Sequence, residues 1–511
     1  NLPEATVKEG RKYFYPITYT GNGEGQRVGD WQPITDSHEV TSYDLFEDAD
    51  NTYLSRTLGS AGNRRAFTFS FWLKRTLTGS QQIIWSSAAG NFFFEFLATD
   101  QFKMFTNGSG VYETNDLFQD VDQWHNFVMA FDSANSTASS RFKLYVDGVQ
   151  ITDWDTETAM GQNTDLDMTA AVEQKIGRYL TSTGIDLDGY MAEVVLIDGT
   201  TLDADSFGQI DTTTNRWVPK DVSGLTFGTT GFYLNMADKN DLGDDESGNG
   251  NDWAENGFDT TNGENQFHDT PTRNFATYDP YQKGLNSVME DCMTFWKVTS
   301  GASGYRCRST FRNPKTGKWY AEFEVGSQSG SYPYIYLFQD LSDEVDTHDD
   351  LNSVYLSAAG YLQVTYEDTA YGQTISAATY AAGDVISVAI DCDNDKLWIA
   401  INDSWISDIG GDPDSNGAGI YFPFSKIEGT LFNAQSHSSH GFYINFGQFQ
   451  YFDDTDLSET SAAKGFFRFT PPTGFKACNN DNLKDIDSYQ TALNITKNRD
   501  ATDNWMVFDR V

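Results

Sequence analysis

Glu322 and Glu324 flank one phenylalanine in Glu322-Phe-Glu324. On a strand, the period of two sets both carboxylates on one face and turns Phe323 and Val325 toward a core. Two close carboxylates are what glycoside hydrolysis requires, about 5 Å apart for retention and wider for inversion. His437-Ser-Ser-His440 is a close histidine pair, but no Cys, Asp or Glu lies within three residues of it, so metal-cage or nucleophile chemistry lacks its partners. No G-x-x-x-x-G-K-S/T run is present for a nucleotide phosphate. Saccharide recognition needs an aromatic ring beside hydrogen-bonding groups. Trp154 in Thr152-Asp-Trp-Asp-Thr156, Trp253 after a glycine-rich run, Tyr371 in a polar stretch and Trp405 in Asn402-Asp-Ser-Trp405 have that setting. Each also suits a loop base or a subunit contact. Trp72, Trp124, Trp319 and Trp398 fall on alternating strands and are expected in cores.

The elements that position these residues are strands. Phe67-Thr-Phe-Ser-Phe-Trp-Leu73 puts Phe67, Phe69, Phe71 and Leu73 on one face. Phe142-Lys-Leu-Tyr-Val146 runs into Asp147-Gly148 and then Val149, a hairpin signal. Val385–Ile390 and Lys396–Ile401 flank Asp393-Asn-Asp395 in a second hairpin. Helical periodicity is nearly absent, and 44 glycines supply turns. The expected class is all-β, as tandem antiparallel sandwiches of jelly-roll type joined by a glycine- and acid-rich connector. One echo, Gly231-Phe-Tyr-Leu-Asn-Met236 against Gly441-Phe-Tyr-Ile-Asn-Phe446, suggests that the same closing strand ends two related blocks. The layout is then a lead-in over 1–40, a sandwich over 41–236, a connector over 237–270, a second sandwich over 271–478, and the start of a further module over 479–511. Cys392 continues the alternation of Ile386, Val388 and Ile390 into the second core. Cys292 and Cys307 flank Thr299–Gly304 and are placed to face each other in a hairpin, with a disulfide one of the possibilities.

At 511 residues the chain has room for several cores. Asp and Glu number 74 against 34 Lys and Arg, for a net charge of −40, and aromatics make up 15%. That charge repels a nucleic-acid backbone and an anionic membrane surface. No apolar run approaches the roughly 18 to 20 residues of a membrane helix. The chain opens with Asn1-Leu-Pro and stops at Trp505-Met-Val-Phe508 followed by three residues, which we read as a segment of a longer polypeptide or a processed product.

The first block resembles the laminin-G-like branch of the concanavalin A-like lectin/glucanase superfamily. Phe67–Lys74, Gln123-Trp-His-Asn-Phe-Val128, Lys143-Leu-Tyr-Val-Asp-Gly148 and Asp188-Gly-Tyr-Met-Ala-Glu-Val194 carry the resemblance in order. The second block is similar to SPRY sandwiches through Gly317-Lys-Trp-Tyr-Ala-Glu322 and Gly383-Asp-Val-Ile386 with Leu397–Asn402. Together the tandem resembles modular tail-fibre and virion-surface proteins of marine bacteriophages, through Leu2-Pro-Glu-Ala-Thr6, Tyr19-Thr-Gly-Asn-Gly23 and Lys497–Trp505.

The resemblance implies a bound Ca2+ as one option, with Asp48 and Asp50 before the first strand and Glu193 on the closing strand as ligands, or Asp186 with Asp188; solvated acidic loops are the other. The glucanase branch implies three acids along one strand, as E-x-D-x-x-E or E-x-D-x-E, and no such run occurs. The expected function is therefore non-enzymatic host attachment through cell-surface glycans. It is set on a virion surface or otherwise outside the cell, beside other virion or fibre proteins, with self-association (a trimer by the fibre resemblance) and no membrane insertion. A purely structural virion, filament or surface-layer component and a secreted glycan-degrading enzyme with a divergent site are the alternatives.

Overall fold

The computed structural model describes residues 38–479, except 41–42, 49–50, 88–91, 107–109, 122, 181–183, 212–215, 239–240, 259–265, 268, 284–286, 291–294, 299–304, 327–333, 341–351, 368, 428, 437–440 and 449–462, together with 482–483, 494–496 and 506–508. Among these the regular structure is antiparallel β, with 3₁₀ turns of three residues as the only helices. None is long and apolar enough to cross a membrane. The all-β tandem sandwich is the fold. The chain divides into two compact units, one centred on 34–274 and the other on 275–447 with 458–511.

In the first unit one sheet runs, in hydrogen-bonded order, Val149–Gln150, Phe142–Val146, His125–Asp132, Ala66–Arg75, Gly189–Asp198, Tyr43–Phe46 and Gln266–Phe267, with Phe232–Leu234 also on Gly189–Asp198. The facing sheet runs Trp154–Thr158, Gly110–Leu117, Gln101–Thr106, Phe92–Phe96, Gln82–Ser87, Glu173–Ile176, Tyr53–Thr57 and Ala254–Asn256. Alternation decides the core. Phe67, Phe69 and Phe71 meet Phe92, Phe94 and Phe96 between the sheets, all fully buried. Each such ring contributes about 1.5–3 kcal/mol by leaving water. The Asp147-Gly148 turn has φ of +49° and +77°, the left-handed pair that a two-residue hairpin needs. A second apolar cluster coats the other side of the first sheet, where Phe207, Val222 and Phe227 cover Val128, Val195 and Ile197.

The second unit repeats the plan. Tyr278–Lys283, Tyr305–Ser309, Gly429–Ser436, Tyr334–Asp340, Ser353–Ser357, Ala359–Tyr366 and Thr369–Thr379 form one sheet. The other runs Ser287–Glu290, Phe295–Val298, Gly441–Asn445, Lys318–Val325, Val385–Asp391, Lys396–Ile401 and Ser404–Trp405. Cys392 sits in the core between them with Phe323 and Val325, as its alternation indicated. Cys307 is buried there too, its sulfur 3.5 Å from the Arg308 carbonyl oxygen, while Cys292 lies outside the described residues. Phe467, Phe475 and Ala477 coat the outer side of the second sheet at Tyr320, Ala389 and Trp398.

The echoed strands are structural counterparts. Phe232 and Phe442 both face their cores, and Asn235 and Asn445 both accept the backbone N–H two residues on, at 3.0 and 2.8 Å.

The connector expected over 237–270 is corrected in its middle. Residues 241–256 fold into the first unit, where Ala254–Asn256 pairs with Tyr53–Thr57 and Trp253 enters the core. Asp245 organises this stretch. Its carboxylate accepts Tyr233 N, Ser247 N, Asn251 N and Ser247 Oγ at 2.8–2.9 Å. The polar residues that read as a solvated linker instead bond the backbone of their own loop.

Candidate ligand-binding faces

In each unit one sheet has its outer side coated by an apolar cluster. The other sheet shows half-buried aromatics on its outer side. In the first unit, Phe92, Phe94 and Phe96 take the core, so Phe93 and Glu95 point outward. Across the sheet a single row runs Ser55, Lys175, Ser86, Phe93, Phe105 and Val111, each opposite the next. The Phe93 and Phe105 rings stack at 5.1 Å, and Tyr179 meets Phe93 edge-on at 5.8 Å. The adjacent row is ionic. Lys103 Nζ lies 3.1 Å from Glu113 and 3.7 Å from Glu95, and Gln81 Nε2 donates to Glu95 at 2.6 Å. Burial raises the Glu95 pKa, against the pull of Gln81 and Lys103. At the other end of the face, Lys175 and Arg178 stand over the Tyr53 ring at 5.0 and 4.4 Å. The result is an apolar ridge between hydrogen-bonding groups, suited to the C–H face and hydroxyls of a pyranose.

The second unit carries a tyrosine counterpart. Ile335, Val354, Leu356 and Leu362 point to the core, so Tyr334, Tyr336, Tyr355 and Gln363 stand on the outer side. Tyr355 packs at 5.1 Å against both Tyr334 and Tyr336, and its hydroxyl donates to Gln363 Oε1 at 3.0 Å. Arg306 lies 4.8 Å from the Tyr336 ring and donates to Gln435 Oε1 at 3.2 Å.

The aromatics singled out in the sequence fare differently. Trp253 is 2% exposed, edge-on to Phe232 at 5.2 Å and under the Arg56 guanidinium, so it is a core residue and not a platform. Trp154 lies on a strand, half-buried against Tyr112 and Phe142 at 5.4 and 5.9 Å. Tyr371 lies on the strand Thr369–Thr379, its backbone opposite Val364, and not in a loop. Trp405 is half-buried beside the cluster of Trp398 and Phe475. Flanking acids and asparagines mark local polarity, but which side of a sheet a ring takes depends on register. By contrast Trp72, Trp124, Trp319 and Trp398 are buried as expected. The aromatics that do form the faces were signalled only by alternation, as in Phe92-Phe-Phe-Glu-Phe96.

Of the acidic residues named for a cation, Glu193 stands apart from Asp48. Asp48 meets the alternative pair: its N–H donates to Asp188 at 3.0 Å, and its carboxylate accepts Asp186 N at 3.2 Å. Asp186 is taken by Arg178, and burial lifts Asp188 to about 6. Glu193 is engaged elsewhere. It sits at φ +52° in a bulge of Gly189–Asp198, and Tyr233 Oη donates to its two oxygens at 2.9 and 2.8 Å. Burial raises it to about 7. Asp50 lies outside the described residues. Among the described residues no three His, Cys, Asp or Glu side chains converge to hold a metal ion.

Glu322 is fully buried and takes four donors: Arg468 N and Phe469 N at 2.9 Å, Tyr320 Oη at 3.0 Å and Asn445 Nδ2 at 3.2 Å. Desolvation nonetheless raises it to about 7. Glu324 is half-buried and also raised to about 7 by burial. His437 and His440 lie outside the described residues.

Comparison with known proteins fits the first unit. Residues 48–205 match a laminin-G-type family (Laminin_G_3) described as the Concanavalin A-like lectin/glucanases superfamily. Three solved structures are similar to parts of this chain. The SPRY domain of human HERC1 is 12% identical over 33% of this chain and 96% of its own, with a TM-score of 0.26. A Bacteroides ovatus protein assigned to carbohydrate binding is 13% identical over 43% of this chain and 59% of its own, with a TM-score of 0.31. The native heptameric SAP-like pentraxin of Limulus polyphemus is 11% identical over 32% and 78%, with a TM-score of 0.24. No curated protein matches the chain in sequence.

Proposed function

We propose that this chain is a non-enzymatic glycan-binding protein that attaches a virion surface or tail-fibre-like assembly to host cell-surface glycans. The carrying observation is the Phe93–Phe105–Tyr179 ridge beside the Gln81–Glu95–Lys103–Glu113 row. The lectin/glucanase match over 48–205 supports a saccharide as the ligand. The non-enzymatic part is supported at Glu322, whose oxygens are occupied by four donors out of reach of solvent. The assembly part rests on the module style of the sequence. On this reading the chain works outside the cell as a homo-oligomer, a trimer by the fibre resemblance, beside other virion or fibre proteins.

A polysaccharide array with the full chain tests the binding. Retention of defined glycans is expected, and no retention across bacterial and marine polysaccharides would leave a structural building block. Reducing-end release from any retained polysaccharide, lost in Glu324→Gln, would overturn the non-enzymatic assignment. Cryo-electron microscopy of the native particle tests the setting, with the Phe93 face expected outward on symmetric copies.

A further inference from the structure

Lys74 stands at the end of the long strand Ala66–Arg75 and is the one buried lysine among the described residues, 1% exposed. Its Nζ lies 2.6 Å from Asp269 Oδ2 and 2.9 Å from Asn274 Oδ1. Asp269 is 1% exposed and Asn274 4%. Trp124 Nε1 donates to the other Asp269 oxygen at 3.1 Å, Trp124 stacks on Tyr190, and the Tyr190 ring lies 5.6 Å from the ammonium. An ion pair alone needs only the lysine and the aspartate. Here a carboxamide, which is an electrophile, completes a water-excluded set held by packed rings and strands, with amine and acyl carbon poised as neighbours.

We propose that Lys74 and Asn274 join in an intramolecular isopeptide bond, with Asp269 as the proton carrier. Lys74 Nζ passes a proton to Asp269 Oδ2 across their contact, which frees the nitrogen lone pair. Nζ attacks Asn274 Cγ, and the new Nζ–Cγ bond makes a tetrahedral centre. A second Nζ proton travels through Asp269 to Nδ2, the Cγ–Nδ2 bond breaks, and Nδ2 leaves as ammonia. The remaining proton leaves with it as ammonium, so atoms and charge balance without an oxidant or a cofactor. Exchanging the oxygen and nitrogen of the Asn274 amide leaves Cγ in place, so the reaction does not depend on that assignment. The bond ties Asn274, where the 34–274 segment of the first unit ends, to a central strand 200 residues earlier in the chain. A pull along the chain at residue 274 would then load a covalent bond in place of strand hydrogen bonds.

Tryptic peptide mapping of the full chain by mass spectrometry tests this directly. The expected result is a branched peptide joining Lys74 to Asn274, with the intact mass lower by one ammonia. Cyclisation at Asn249-Gly250 would also release ammonia, so the branched peptide is decisive. Lys74→Arg keeps the cation, and Asp269→Asn keeps the shape without the proton acceptor; both are expected to return unbranched peptides. If either variant fails to fold, the map of the unaltered chain still decides. Separate linear peptides containing Lys74 and Asn274 would overturn the proposal, leaving a buried ion pair. Loss of water with a branch to Asp269 would overturn the assignment of Asn274.

Discussion

Asp245→Asn probes the finding that residues 241–256 belong to the first unit. Asp245 is 7% exposed, and its two oxygens accept four donors. In the asparagine variant Oδ1 keeps Tyr233 N and Ser247 N, and Ser247 Oγ turns to donate elsewhere or to accept. Asn251 N then faces an amide that can only donate. A hydrogen bond to a charged group contributes about 1.5–3 kcal/mol, and a buried donor left unmet costs about 1–3 kcal/mol. The Asp245 charge also acts on Arg56, whose guanidinium donates to Thr230 O and Asn251 O at 2.8 and 2.9 Å. We expect a loss of about 2–3 kcal/mol for Asp245→Asn, and more for Asp245→Ala, which removes all four acceptors. Urea unfolding followed by tryptophan fluorescence measures it, because Trp253 is carried into the core by this loop. With a urea slope of about 1–3 kcal/mol/M, the midpoint falls by about 0.7–3 M. A shift within about 0.5 kcal/mol, the size expected for a surface linker, would refute the reasoning.

Other outcomes follow from the same contacts. Trp253→Ala empties a core site and should cost about 3–5 kcal/mol in urea unfolding, whereas a surface platform would cost little. Glu193 and Glu322 sit at about 7 through burial, against an ordinary value of about 4.3. Between those values the folded chain holds protons that the unfolded chain has lost. Their contribution is therefore largest below pH of about 4.5 and falls away as the pH rises through 7. The urea midpoint should be higher at pH 5.5 than at pH 8, and this difference should shrink in Glu193→Gln; an equal or lower midpoint at pH 5.5 would count against it. Tyr334→Ala with Tyr355→Ala should weaken retention of any glycan held by the second unit while leaving its unfolding cooperative, as affinity electrophoresis would show.

Much of the fold was legible because alternation and turns are local properties. Phe67, Phe69 and Phe71 name a core face on sight, and Asp147-Gly148 names its turn, since few other residues accept two successive positive φ values. Residues 241–256 were not legible, because Asp245, Asn249 and Asn251 spend their polarity on nearby backbone, and only Trp253 reveals the burial. The same limit applies to the packing of Trp154. Acids beside a tryptophan do not tell which rings will meet it across a sandwich, here Tyr112 and Phe142. Glu193 and Asp48 were grouped by their expected strands, yet the bulge at Glu193 turns it to Tyr233 and away from the Asp48 loop. The Phe93 face was available in the pattern of Phe92–Phe96, where the outward positions carry an aromatic and an acid. Its partner Phe105 comes from strand pairing that the sequence leaves open, and Tyr179 from the bend after Glu173–Ile176.

The most direct test of the central claim compares the full chain with its Phe93→Ala, Phe105→Ala double variant on the same polysaccharide array, with unfolding midpoints measured in parallel. The account predicts glycans retained by the unaltered chain and lost from the folded variant, with affinity weaker by about tenfold or more per ring removed, or about 1.4 kcal/mol each. Equal retention by both proteins would contradict it, as would an unaltered chain that retains no glycan.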